Sequence, residues 1–211
     1  VAPHDLAEAL AVACLVGALS GALCSVTGTL IYRVRAWNAG TTTKLLIGGA
    51  SLAACFAAIS TLASPSAAVG PGAGAVTWAE GATTSGWTLL LVAALRAAAT
   101  TAAVAAGGCG GLFVPFLAVG DLCGRALAPG LGTSADLAAA SGSAGAIAGG
   151  YRLPITAFAM VIAIGGPAGA RLTCLLAVAV AAGAGVLAAY ALDRLVAART
   201  KTPTDDSRRS W

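Results

Sequence analysis

The most informative stretch of this chain is Gly110-Gly-Leu-Phe-Val-Pro-Phe-Leu-Ala-Val-Gly120. Its paired glycines precede a short apolar segment, and Pro115 suits a first helical turn because proline has no N–H and its φ is already helical. A helix N-terminus leaves its first N–H groups without intrahelical partners and carries roughly half a positive charge. The stretch therefore predicts a helix N-terminus that binds an anion. The alternative interpretation is the ordinary start of a membrane helix.

The composition indicates a membrane protein. Of the 211 residues, 58% are hydrophobic and only 9% are charged, whereas soluble domains have roughly 25% charged residues. The mean hydropathy is +0.89. The 28 glycines and the many alanines allow helices to approach closely in a bilayer. We therefore predict an all-α integral membrane protein in contact with the lipid bilayer, and we expect no nucleic acid partner.

Basic residues predict how the chain is oriented. The net charge of +4 comes mostly from two groups: Arg33, Arg35 and Lys44, and then Arg194, Arg199, Lys201, Arg208 and Arg209. The positive-inside rule places both groups on the cytoplasmic side. We expect a multi-pass protein of the plasma membrane with its C-terminus in the cytoplasm, in which residues 200–211 form a polar tail.

Apolar segments of unequal length predict tilted and broken transmembrane helices. Four are long enough to cross a bilayer, and the longest is expected to tilt steeply: about Asp5–Trp37, Lys44–Leu62, Gly86–Ala106 and Arg171–Ala197. Three are too short, and Gly or Pro bounds each: about Phe113–Ala128, Asp136–Gly149 and Arg152–Ile164. Interrupted segments at membrane depth are typical of transporter binding sites. The Pro/Gly/Ser-rich stretch Ala63–Ser85 is predicted to be a loop.

No residue pattern indicates an enzyme, a cofactor or a metal site. The six cysteines lie in apolar segments and include no Cys-x-x-Cys pair, so we expect small apolar side chains rather than disulfides or metal ligands: Cys14, Cys24, Cys55, Cys109, Cys123 and Cys174. No catalytic pair of carboxylates and no Ser/His/Asp set is recognisable. We therefore predict no enzyme activity and no cofactor.

Ionisable residues within apolar segments are candidates for function. Asp121 precedes Arg125 by four residues, a spacing that permits a helical ion pair. Arg125 and Arg171 are predicted near helix ends, where long side chains extend toward the interface. Arg96 lies in the middle of its segment, and two roles stay open for it: binding helix C-terminal carbonyls, or raising the positive potential along an anion path.

Three stretches together resemble a known family. Gly110–Gly120 resembles the G-G-x-F-x-P signature of the chloride channel and chloride/proton antiporter (CLC) family. Ser143–Thr156 is similar to the later G-x-x-A-x-x-A-x-x-R-x-P-x-T stretch of that family, and Leu89–Ala106 resembles the helix that leads into the signature. Their order and spacing match the C-terminal half of the family, so the resemblance assigns residues 1–199 to one half of a CLC-type inverted-repeat fold.

The resemblance implies movement of chloride or a similar small inorganic anion by a channel or a proton-coupled antiporter. The implied anion-binding residues are Gly110, Gly111, Leu112, Phe113, Val114 and Tyr190. The N–H groups of Leu112 and Phe113 would point at the anion, and Tyr190 would contribute its hydroxyl. Tyr190 has an alternative as a packed aromatic residue near a helix end, because the glycine-containing break expected before it is absent.

The resemblance also implies partners. The other ion-binding segments of the family and its gating glutamate belong to an N-terminal half that has no counterpart in this sequence, and Glu80 lies in a predicted loop. We therefore expect a homodimer that needs an N-terminal CLC half, in addition to chloride. One alternative is a truncated or split half that acts as an assembly partner or is an inactive remnant. Another is an unrelated carrier of small solutes with similarly broken helices.

Overall fold

The computed structural model describes residues 6–81, 83–169 and 171–200, and these residues are almost entirely helical. Within them the chain forms nine α-helices: α1 (Leu6–Ala36), α2 (Thr41–Leu62), α3 (Pro65–Ala68), α4 (Ala73–Gly81), α5 (Gly86–Ala105), α6 (Phe113–Leu127), α7 (Ala135–Tyr151), α8 (Pro154–Gly169) and α9 (Leu172–Thr200). A short 3₁₀ helix, Pro129–Leu131, follows α6. The prediction of an all-α membrane fold is confirmed.

Helix lengths divide the fold into long and short members. Four helices, α1, α2, α5 and α9, are long and apolar enough to cross a membrane. By contrast, α6, α7 and α8 have 15, 17 and 16 residues, which at 1.5 Å per residue is less than the ~30 Å hydrocarbon core. Both predictions, the spanning segments and the short ones, are confirmed to within a few residues. Of the predicted polar tail, residues 201–211 lie outside the described residues.

One prediction about local structure is wrong. The stretch from Ala63 to Ser85 is not a simple loop, because it contains the short helices α3 and α4. Its turn-forming residues start helices instead: the Ser64 hydroxyl accepts a hydrogen bond from the Ala67 N–H at 3.2 Å, and Pro65 occupies the first turn. Serine and proline favour both turns and helix starts, so the composition alone does not distinguish the two.

Glycines allow α1, α7 and α9 to pack with their backbones in contact. A Cβ added at Gly17 would lie 2.5 Å from the Ala181 carbonyl oxygen, and one at Gly21 would lie 2.9 Å from the Gly145 carbonyl oxygen and 2.8 Å from the Gly185 carbonyl oxygen. Residue numbers rise together along the three helices, so they run parallel. This close contact fixes the depth at which α7 lies against the two long helices.

The α6 helix packs antiparallel to α7 by the same means. A Cβ at Gly120 would meet the backbone of Gly142, and one at Gly150 would meet the ring of Phe116. Since Gly120 faces the middle of α7 and Phe116 faces its end, the N-terminus of α6 meets the C-terminus of α7. Two segments about forty positions apart in sequence therefore form one place in the fold.

Candidate functional site

The chain turns sharply between α5 and α6. The N–H of Gly108 donates to the Ala103 carbonyl at 2.8 Å, and the N–H of Gly107 donates to the Val104 carbonyl at 3.1 Å. This pair of bonds is a Schellman motif, and Gly107 provides the positive φ of 91° that the motif requires. Gly110 and Gly111 follow, both exposed and with open space where a Cβ would lie. The backbone of the signature stretch is therefore accessible.

The N-terminus of α6 has unused backbone donors. Its N-cap residue, Leu112, makes no side-chain cap, and the first helical bond runs from the Phe116 N–H to the Leu112 carbonyl at 3.1 Å. Pro115 has no N–H to contribute. In the part of the chain that the structure describes, no acceptor binds the N–H groups of Phe113 and Val114. These two groups are free to bind an anion.

The N–H of the N-cap residue, Leu112, already has a partner. The N–H of Leu112 donates to the hydroxyl oxygen of Tyr151, the last residue of α7, at 3.1 Å. The Tyr151 ring stacks on the Phe113 ring with a centroid distance of 4.1 Å and an interplanar angle of 6°. Sequence reasoning did not assign a role to Tyr151, although it lies inside the motif stretch Ser143–Thr156.

Beside this terminus lies a largely apolar cavity of about 740 Å³. It extends between α2 and α5, and its lining includes Phe56, Thr100, Gly110 and Leu112 together with Arg96. Arg96 is only 6% exposed. Its guanidinium donates to the carbonyls of Ala67 and Gly70, at 2.7 Å each, and to that of Ala68 at 3.4 Å.

Arg96 therefore binds carbonyls at and just beyond the end of α3, which is the first of the two roles left open by the sequence. Within residues 6–81, 83–169 and 171–200, no carboxylate forms a salt bridge with it. A buried guanidinium without a counter-ion leaves a net positive charge at the cavity wall. The cavity thus combines this charge with the positive end of α6.

The sequence of this chain matches a known protein family. A model described as the voltage gated chloride channel matches residues 2–186, well over half of the chain. The chain belongs to this family. No curated protein matches the chain.

Membership of the voltage gated chloride channel family confirms the resemblance seen in the sequence. It establishes an integral membrane protein of a chloride channel and transporter family, a class that is distinct from enzymes. The alternative of an unrelated carrier with similarly broken helices is wrong, because the matched residues 2–186 include all three stretches on which the resemblance rests.

The contacts of Tyr190 in this family member involve Arg152 and a second cavity. Its ring lies 5.4 Å from the guanidinium carbon of Arg152, and it lines a second cavity of about 630 Å³ that includes Arg194 and none of Gly110–Pro115. Among the described residues, no hydrogen bond or ring contact joins Tyr190 to Leu112 or Phe113. The helix α9 continues without a break through Tyr190.

Arg152 anchors the end of α7 next to Tyr151. Its backbone is left-handed, with φ 63° and ψ 29°, a conformation that a residue with a side chain adopts only when its surroundings hold it. Its guanidinium donates to the Gly149 carbonyl, to the Ser25 hydroxyl at 3.1 Å and to the Asp193 carboxylate at 2.7 Å. These contacts tie the α7 terminus to α1 and α9.

A second charged cluster has a structural role. Arg125 lies at the centre of three carboxylates, with distances of 2.9 Å to Asp121, 3.3 Å to Asp136 and 3.4 Å to Glu80. The predicted Asp121–Arg125 pair is confirmed. Arg125 lies in the last turn of α6, near a helix end as predicted, and its side chain is only 10% exposed. Glu80 lies on α4 rather than in a loop, and the cluster joins α4, α6 and α7.

Metal ligands are not assembled in the described part of the chain. No group of three or more His, Cys, Asp or Glu residues there has the arrangement to hold a metal ion. All six cysteines are free thiols. The donors that remain for a small ligand are backbone N–H groups, hydroxyls and a buried guanidinium, and these donors suit an anion.

Proposed function

We propose that this chain is one half of a transmembrane path for chloride or a similar small inorganic anion, either a channel or a proton-coupled antiporter. The proposed site comprises Gly110, Gly111, Leu112, Phe113 and Val114. The observation that carries the proposal is the pair of free N–H groups on Phe113 and Val114, at the start of α6, in a member of the voltage gated chloride channel family. The positive charge of Arg96 in the adjoining cavity supports it.

Magnitudes explain why this half would need a second one. Moving a bare ion into a medium of low dielectric constant costs tens of kcal/mol, whereas a partly buried helix terminus contributes up to ~2 kcal/mol. Several donors must therefore surround the anion. Gly110, Gly111 and Val114 are exposed in this chain, so a water-excluding site needs another element to cover them. We propose an N-terminal CLC half as that element, within a homodimer.

The direction of the helices supports the proposed orientation. Because α1 and α9 run parallel, their C-terminal ends lie on the same side, and these ends carry Arg33, Arg35 and Arg194. The positive-inside rule assigns that side to the cytoplasm. We accordingly propose a plasma membrane protein with a cytoplasmic C-terminus.

Chloride efflux from liposomes tests the proposal. Vesicles loaded with chloride would receive this chain alone, or the chain together with its native upstream sequence, and efflux would start when valinomycin removes the opposing potential. We expect efflux from the extended protein only. Vesicles loaded with gluconate, an anion too large for a site built from two N–H groups, are the matched control and should retain their contents.

The other outcomes separate the alternatives. Efflux from the chain alone would show that copies of this half assemble a complete path, contrary to the energetic argument above. No efflux from either protein would favour the second candidate, an assembly partner or inactive remnant.

A further inference from the structure

Tyr151 occupies a decisive place at the proposed site. Its hydroxyl oxygen accepts the Leu112 N–H at 3.1 Å, so one of the two backbone donors that the family resemblance aims at the anion is already used. Either the hydroxyl must leave when an anion arrives, or it must take part in binding. The packing around the Tyr151 ring decides between these two possibilities.

The ring is held on two sides. It stacks face to face with Phe113 at 4.1 Å and lies against Phe116 at 5.5 Å with an angle of 60° between the rings. Such aromatic pairs stabilise a fixed arrangement beyond the area that they bury. The next residue, Arg152, is bonded to Ser25 and Asp193. Moving the Tyr151 hydroxyl away from the Leu112 N–H would break the ring stack and strain the hydrogen bonds of Arg152. The hydroxyl therefore stays in place.

A hydroxyl that stays has one donor left to offer. A phenol accepts through its oxygen and donates through its proton, and in the described part of the chain no acceptor binds the proton of Tyr151. An O–H group whose oxygen already accepts a hydrogen bond becomes a stronger donor through polarisation. The Leu112 N–H therefore strengthens the hydroxyl rather than acting on an anion directly.

We propose that Tyr151 is a specificity-determining residue of the proposed anion site: it accepts the Leu112 N–H and donates its own O–H to the anion beside the free N–H of Phe113. This inference rests on the proposed function. It also sets a preference among anions, because a short charge-assisted hydrogen bond stabilises a small anion of high charge density more than a large one. Chloride gains more from the hydroxyl than thiocyanate does.

The chain has three tyrosines, which allows a matched set of Tyr→Phe variants. Tyr151→Phe keeps the ring stack and removes only the hydroxyl. Tyr32→Phe is the control, since Tyr32 lies on α1 and is 74% exposed, and among the described residues no hydrogen bond or ring contact joins it to Leu112, Phe113 or Tyr151. Tyr190→Phe tests the residue whose hydroxyl, according to the family resemblance, binds the anion. Thermal unfolding in detergent checks that all three variants retain the fold.

Chloride and thiocyanate affinities would be measured by calorimetry on the protein purified with its native upstream sequence. A hydrogen bond to a charged group contributes enough for its loss to lower affinity by about tenfold, so we expect a chloride loss of that size in Tyr151→Phe. The loss for thiocyanate should be clearly smaller, and Tyr32→Phe should match wild type. In liposomes, the ratio of the chloride efflux rate to the thiocyanate efflux rate should likewise fall in Tyr151→Phe.

Each remaining result would overturn the role of Tyr151. Unchanged affinity in Tyr151→Phe would mean that the hydroxyl only supports the fold, and tighter chloride binding would mean that it competes with the anion. A larger loss in Tyr190→Phe would return the role to that residue. If the wild-type protein neither binds nor moves chloride, the proposed function fails and the role of Tyr151 fails with it. That result is distinct from an active wild type with an unaffected variant.

Discussion

The contact between α7 and α9 predicts that two alanine substitutions in one helix have opposite effects. A Cβ at Gly185 would lie 2.7 Å from the Gly145 Cα, whereas one at Gly183 meets nothing within 4 Å. Carbon atoms pack at about 3.5–4.0 Å, so Gly185→Ala is short of space by about 1 Å. Backbone atoms of α7 cannot move aside by rotamer change, so the helices must separate.

The expected magnitude follows from this shortfall. Overpacking of a tight core costs about 1–3 kcal/mol. Both variants gain the same helix propensity, up to ~1 kcal/mol, so their difference isolates the clash at Gly185. For a chain of this size 2 kcal/mol corresponds to a Tm difference of roughly 4–8 °C.

Thermal unfolding in detergent, followed by tryptophan fluorescence, would measure this difference. Gly183→Ala should unfold at or above the wild-type Tm, and Gly185→Ala should unfold clearly below it. Equal Tm values for the two variants would refute the reasoning, because they would show that α9 moves away from α7 without cost. Such a result would also remove the argument that glycine contacts fix the depth of α7.

Two further predictions concern the buried charges. Arg96→Lys keeps the charge, but a single ammonium cannot reach all the carbonyls that the guanidinium spans, so we expect a lower Tm in the same assay; an unchanged Tm would contradict the anchoring role. Asp121→Asn should cost about 3 kcal/mol because it breaks a pair in which both side chains are at least nine-tenths buried. Asp136→Asn should cost little, since Asp136 is 91% exposed beside Arg125. Denaturant titration compares the two variants, and equal costs would contradict the assigned burial.

Features that depend on short stretches of sequence were predicted well. Apolar length and the bounding glycines and prolines located the long and short helices, and the four-residue spacing of Asp121 and Arg125 predicted their ion pair. These properties belong to single helices. The helices α3 and α4 were missed because serine, proline and glycine are compatible with both loops and helix starts. Contacts among distant residues, such as Glu80 with Arg125, had no signal in the sequence.

Arg96 illustrates the limit of sequence reasoning. Its position within an apolar segment marked it as important, but two roles fitted that position equally well. Packing established the first of them, because α3 ends beside the guanidinium and presents the Ala67 carbonyl to it. The sequence gives no information on which helix end will lie beside a given side chain.

By itself the sequence determined that this is an all-α membrane protein and that the segment after Gly111 starts a helix with unsatisfied N–H groups. A helix start depends on the residues around it, so local chemistry suffices. Only the tertiary structure showed that a tyrosine meets Leu112. The resemblance implied an anion-binding hydroxyl at Tyr190 and gave no role to Tyr151, which the antiparallel packing of α6 on α7 brings to the Leu112 N–H. That contact depends on how closely and at what depth two helices pack, which the glycines permit but which only the assembled fold defines.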